Sequence, residues 1–136
     1  MSDVKHYFIG KEIEARDCDP GVTRKILAHS DNLMVCELHF KKGAIGKLHE
    51  HFHEQCTYII SGKFEFNIGG EKKIIGPGDS TYKEPHIVHG AVCLEEGVLL
   101  DIFTPARKDF LKTEEVSNEK NCNCNWWNWW NWFSYL

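Results

Sequence analysis

The chain has 136 residues, the length of one ordinary domain. Its 16 Lys and Arg against 20 Asp and Glu give a formal net charge of −4, which argues against a basic nucleic-acid-binding surface and a polybasic membrane patch. Hydrophobic residues make up 42%, enough for a core, and no stretch approaches the roughly 18 consecutive apolar residues of a transmembrane helix.

The first segment, MSDVKHYFIGKEIE, carries charges every few residues and has no apolar run, unlike a secretory signal. Without an export signal, and without CxxC spacing, Cys18, Cys36, Cys56 and Cys93 read as small buried thiols in a reducing cytoplasm. Residues 23–103 then look like strand after strand. In Leu33 to Phe40, Met34, Cys36, Leu38 and Phe40 share one face. In Lys63 to Ile68, Phe64, Phe66 and Ile68 share a face opposite Lys63, Glu65 and Asn67. Both show the period of two of a half-buried strand. Turn signals separate the runs: Asp19-Pro20-Gly21, Ser30-Asp31-Asn32, Ser61-Gly62, Gly69-Gly70, Gly76-Pro77-Gly78-Asp79 and Glu95-Glu96-Gly97. Gly69-Gly70 suits a two-residue primed turn between KFEFNI and EKKII. Many short strands predict an all-β sandwich or barrel. A short helix fits Arg107 to Glu115. The last 16 residues, Asn121 to Leu136, hold seven of the 17 aromatics, all five Trp among them, and no charge. They read as a low-complexity tail outside the barrel, with 1–112 as the domain and 113–136 as an extension. Cys122 and Cys124 in the tail are a weak soft-metal signal.

Histidines concentrate in the middle of the chain. His49, His51 and His53 fall within seven residues, followed by Gln55, and His86 and His89 lie further on. Residues i and i+2 of a strand face one side, so His49 and His51 project together as a two-donor chelate. Gln55 on the next strand can add a donor, and His89 can close the set from a later strand. Such a set suits Zn, Ni, Fe, Mn or Co. An isolated His-x-His also fits an exposed polar face.

The pattern Gly43-x5-His49-x-His51-x3-Gln55-x6-Gly62 resembles the first motif of the cupins, and Gly78 to His89 resembles the second, with its Gly-to-His spacing kept. The chain departs from the family in having Gln55 for the usual Glu, in placing Pro85 one position late, and in having Ile87 for a glycine. The resemblance implies a double-stranded β-helix, a jelly-roll barrel of two antiparallel sheets, with His49, His51, Gln55 and His89 as ligands to a divalent transition metal. It also implies a homodimer. His53 then falls in the hairpin turn, and His86 in a loop beside Pro85; His6, His29 and His39 are structural or exposed. Tyr58 has the opposite parity to Gln55 and points away from the metal. A neutral Gln leaves the metal its full +2 charge, which favours redox-neutral Lewis-acid chemistry over O2 activation.

A narrower resemblance joins HEHFHEQ, GKFEFNIGGE and the ending Asp101 to Leu111. It is similar to the small single-domain cupins of pectin degradation, the KdgF type, which act on unsaturated uronates. In that group D-x-F-x3-R is implicated in catalysis, here Asp101, Phe103 and Arg107. The strand Gly97 to Phe103 puts one acid, Asp101, among apolar neighbours, which is costly without a partner or a polar cavity. Arg107 is its nearest candidate partner in sequence. Asp101 and Arg107 thus read either as a structural pair pinning the C-terminal segment, or as a proton-transfer group and a bidentate clamp for a substrate carboxylate. Phe103 fits a core role as well. The expected activity is ring opening of a 4,5-unsaturated monouronate to its linear keto form, with a small-molecule uronate as the only partner besides a second copy. The alternatives are a dioxygenase or isomerase of another small substrate, and a non-catalytic ligand-binding cupin.

Overall fold

The computed structural model describes residues 3–115; the expected tail 121–136, with Cys122 and Cys124, lies outside them. The strands are β1 (Arg16–Asp19), β2 (Val22–His29), β3 (Met34–Phe40), β4 (Ile45–His49), β5 (Glu54–Ile68), β6 (Glu71–Ile75), β7 (Ser80–Lys83) and β8 (His89–Thr104). A 3-10 turn, Gly10–Glu12, precedes them, and a helix, α1 (Lys108–Glu115), follows where the sequence suggested one. No helix among the described residues is long and apolar enough to cross a membrane.

Two strands are longer than the turn signals predict. β5 runs for 15 residues straight through Ser61-Gly62, and β8 for 16 through Glu95-Glu96-Gly97. The reason is that the two signals face one another. Ser61 pairs with Val98 and Lys63 with Glu95, with register shifts between them. A Cβ on Gly97 would lie 2.1 Å from the Ser61 carbonyl oxygen, and one on Gly62 (φ 87°) 2.6 Å from that of Glu95. The chains cross there too closely for side chains, so the ladder bends without breaking.

That bend divides one ladder into two layers. The first half of β5 pairs with β7 and with the second half of β8, which continues into β3, β2 and β1. The second half of β5 pairs with β6 and with the first half of β8, which pairs with β4. All pairings are antiparallel, and the layers face each other as the expected jelly roll. Val22, Phe40, Ile59 and Leu99 of one layer pack against Phe64, Phe66 and Cys93 of the other, and Phe40 meets Phe64 edge-on at 5.3 Å. Ile26, Met34, Cys36 and Phe103 form a second cluster with Ala106, over which Phe110 and Leu111 of α1 close one end.

The alternation read from the sequence holds in β3 and in the second half of β5. Gly69 and Gly70 take φ 60° and 93°, the primed turn that joins β5 to β6. One reading needs correction. Cys36 and Cys93 are buried and Cys18 half-buried, but Cys56 is exposed. It lies between Gln55 and Thr57, which both point inward, so the pleat turns it outward.

The bend yields a stability test. Gly97→Ala is expected to lower unfolding free energy by about 1–3 kcal/mol, the usual cost of overpacking, because backbone on both sides must move. Gly10→Ala, where a Cβ meets nothing within 4 Å, serves as the control. Equal denaturant midpoints for the two variants would show that the close crossing does not hold the layers together.

Candidate active site

His49 ends β4 and His89 opens β8, and the two are register partners. A Cβ on Gly90 would lie 2.7 Å from the Gly46 carbonyl oxygen, so β4 and β8 approach closely there. This draws the two rings to 4.3 Å between centroids. His51 lies two residues past β4, with its ring 5.3 Å from His49 and 5.0 Å from His89. The backbone N–H of His86, which has φ 67°, donates to the His51 carbonyl at 2.7 Å and holds that segment. His86 itself is exposed and faces Glu50, in a loop as expected. One ring nitrogen from each of His49, His51 and His89 lies within 4.8 Å of the others.

The tautomers follow from the partners. Nδ1 of His49 lies 3.1 Å from the Lys47 carbonyl, that of His51 3.1 Å from the His53 carbonyl, and that of His89 2.9 Å from the Ile87 carbonyl. A carbonyl only accepts, so each Nδ1 carries the hydrogen and each Nε2 offers a lone pair. Nε2 of His89 is buried with no hydrogen-bond partner among the described residues. Gln55, also buried, sets its Oε1 2.9 Å from Nε2 of His51, two lone-pair donors turned towards each other. A cation held between them would stabilise that arrangement. Burial also keeps the rings neutral: it lowers His89 to about 3 and pushes His49 and His51 below the ordinary imidazole range, helped by the neighbouring charges. An orphaned buried nitrogen, three oriented imidazoles and a facing amide oxygen fit a divalent transition metal, which His49, His51, Gln55 and His89 could hold.

His53 lies in the bend before β5, as expected, and is buried beside His51 while lining the opening next to the histidines. Burial, aided by Arg107, lowers it to about 4. Tyr58 is exposed on the outer face, away from the histidines, as its parity required.

Behind the histidines is a cavity of about 140 Å³ between the layers. Gln55, Thr57 and Lys83 line it from β5 and β7, Asp101 and Phe103 from β8, and Arg24 from β2. Asp101 is register partner to Thr57 and Phe103 to Gln55, so the acid and the aromatic do share the inward face. Asp101 and Arg107 do not form the pair that sequence proximity suggested. Asp101 Oδ1 accepts from the Thr57 hydroxyl at 2.5 Å. Arg107 donates through Nε and Nη2 to Asp109, at 3.1 and 2.9 Å. The fork expected to clamp a substrate carboxylate is bonded within its own chain. Phe103 is buried beside His51 and His53, with the Arg107 guanidinium 5.1 Å above its ring.

Sequence reasoning gave no role to Arg24, Thr57, Lys83 and Phe110, which line this cavity. Lys83 is 1% exposed, and its ammonium donates to the Thr57 and Thr81 hydroxyls, both at 2.7 Å. Burial lowers it to about 8, opposed by the charge of Asp101. Lys83, Thr57 and Asp101 thus form a hydrogen-bonded chain. Lys83 faces Gln55 across β7 and β5, and its parity opposite exposed Tyr82 was the signal that could have found it. Arg24 shares the buried face of β2 with Val22 and Ile26, a cation at an apolar position. Phe110 of α1 takes the guanidinium carbons of Arg24 and Arg107 at 3.7 and 4.1 Å from its ring centroid.

Residues 36–103 match the family described as Cupin domain. The chain is a cupin. It is 46% identical over 110 residues to the pectin degradation protein KdgF of Dickeya dadantii, covering 79% of this chain and 100% of the relative. The solved structure of KdgF from Halomonas sp. superposes with a TM-score of 0.76 at 39% identity, covering 79% of this cupin and 99% of that chain. An RmlC-like cupin from Shewanella frigidimarina gives the same TM-score at 40% identity, covering 81% and 99%.

Two measurements test this site. His49→Ala and His89→Ala are each expected to lose bound metal on elemental analysis, whereas Tyr58→Phe keeps it; metal retained by both histidine variants would refute the ligand set. Stability of the metal-stripped cupin is expected to fall with acid. Unfolded imidazoles take up protons near 6.5, whereas His53 holds out to about 4 and His89 to about 3, with His49 and His51 also lowered. The unfolded chain therefore binds more protons, and stability present above 6.5 is lost as pH falls towards 3. Asp19, which burial raises to about 7 against Arg24 and Lys47, works the other way, one group against four. The denaturant midpoint at about pH 5 should lie below that at about pH 7.5; an equal or higher midpoint at the acid pH contradicts burial of the neutral rings.

Proposed function

We propose that this cupin catalyses ring opening of a 4,5-unsaturated monouronate to its linear keto form. The observation that carries the reading is the sharing of one small cavity by His49, Gln55, His89 and Asp101, with His51 within reach of the other two histidines. It is supported by 46% identity, over the full length of the relative, to a pectin degradation protein. A cavity of about 140 Å³ suits a single small ring and not a polymer.

The reaction is an isomerisation and needs no oxidant. The anomeric hydroxyl loses its proton, C1 becomes a carbonyl, and the bond from C1 to the ring oxygen breaks. The electrons move onto the former ring oxygen, giving an enolate at C5, and a proton delivered to C4 completes the ketone. A metal held by His49, His51, Gln55 and His89 supplies Lewis acidity where negative charge develops on oxygen. Asp101 handles the proton as a carboxylate whose position is fixed by the Thr57 hydroxyl. Lys83, donating to the same hydroxyl, puts a positive charge behind that carboxylate. Phe103 shields the ligand side of the cavity from water, and Arg107, neutralised by its pair with Asp109, stacks against Phe103 and Phe110 and positions them. The substrate class favours no O2, nucleotide or organic cofactor.

Incubation of the metal-loaded cupin with an unsaturated galacturonate or mannuronate monomer is expected to speed loss of the alkene ultraviolet absorbance above the spontaneous rate. Asp101→Asn should lower kcat by about 10²–10⁴-fold, the usual share of a proton-transfer group, with metal content unchanged. A metal-loaded wild type no faster than the uncatalysed reaction would sink the proposal; oxygen consumption would point instead to a dioxygenase.

A further inference from the structure

Arg24 is 6% exposed on β2 and lines the central cavity together with Gln55, Asp101 and Phe110. A guanidinium withdrawn from water is costly unless an anion and hydrogen-bond acceptors compensate it. Here the compensation within the chain is incomplete. Nε of Arg24 is buried with no hydrogen-bond partner among the described residues. Asp19 lines the same cavity, yet no hydrogen bond or ion pair joins it to Arg24 among the described residues. The other acid in the wall, Asp101, is bonded to Thr57. What Arg24 does have is a platform, its guanidinium carbon 3.7 Å from the centroid of the Phe110 ring. Stacking on an aromatic face leaves the in-plane N–H groups of the fork to bond outward.

Arg107 differs in this respect. It stacks on the same ring at 4.1 Å, but two of its nitrogens are committed to Asp109. Of the two buried arginines, one arrives neutralised and the other has donors to spare.

We infer that Arg24 is the carboxylate-binding arm of the cavity, taking the uronate carboxylate through its guanidinium on the Phe110 platform, while Arg107 serves as a paired, positioning residue. The inference rests on the uronate reading for the identity of the ligand, but its measurable content is narrower: a small sugar acid binds through Arg24 and its neutral counterpart does not gain from it. A planar carboxylate offers two acceptor oxygens to that fork, and a bond to a charged donor strengthens the contact.

Calorimetric titration of the metal-loaded protein with D-galacturonate and with neutral D-galactose tests this. Wild type should bind the acid more tightly by about ten- to a hundredfold, the range set by charge-assisted hydrogen bonds. Arg24→Gln should remove that preference and leave the affinity for galactose unchanged; Arg107→Gln should keep most of it. Circular dichroism and a thermal melt check that each variant is folded. If Arg24→Gln does not fold, Arg24→Lys, which keeps the charge and drops the fork, should still weaken the acid by about fivefold or more and spare the neutral sugar. A wild type indifferent to the carboxylate overturns the inference, as does a preference that survives in the Arg24 variants or vanishes only in Arg107→Gln. An Arg24-dependent preference in a protein that does not open unsaturated uronates would support the anion site and remove the proposed reaction.

Discussion

The pairing of β5 with β8 is the constraint on which the rest of the molecule depends. Each strand serves both layers, and each crosses from one to the other at the point where Gly62 and Gly97 let the backbones touch. The site takes its geometry from this ladder. Gln55 and Thr57 stand on β5, opposite Phe103 and Asp101 on β8, and His89 opens β8 opposite His49 of β4. A slip of β5 by one residue would turn Gln55 and Thr57 outward and bring Cys56 and Tyr58 into the cavity. The packing of Ile59 and Leu99 in the core of the same strands penalises that slip.

A second layer of organisation is electrostatic. The rings of His49, His51 and His89 are oriented by backbone carbonyls at each Nδ1, which leaves each Nε2 as the free lone-pair donor. The cavity behind them carries the cations Lys83 and Arg24, and Arg107 already paired with Asp109. Against them stand Asp101, oriented by Thr57, and Asp19, whose burial holds on to its proton up to about 7. Such a wall favours a small anion, consistent with redox-neutral chemistry on a carboxylated sugar.

Much of this was legible before the structure. Period-two alternation located the strand faces and the inward positions of His49, Gln55 and His89, whereas His51 lies past β4 and is held by the His86 N–H. Two features were not legible, for physical reasons. Ser61-Gly62 and Glu95-Glu96-Gly97 read as turns because glycine signals local chain reversal, whereas here glycine permits close approach between partners more than 30 positions apart. The pairing of Asp101 was equally hidden, since sequence proximity proposed Arg107 and the sheet supplied Thr57 from 44 residues away. Arg24 and Lys83 were within reach of the same parity argument that placed Gln55, but charged residues in strands are ordinarily assigned to solvent.

The central place of β8 also bears on how the chain matures during synthesis. β3, β4 and β5 all pair with a strand that begins at His89, so β4 has no ladder partner at all, and one edge of β3 and of β5 stays open, until most of the domain has been made. Phe110, the ring beneath both arginines, follows later still. A nascent chain therefore exposes hydrogen-bonding edges for as long as it lacks its final third, and these are the edges that attract wrong partners. For this cupin, escape from aggregation and completion of the cavity arrive together, with the same late stretch of polypeptide.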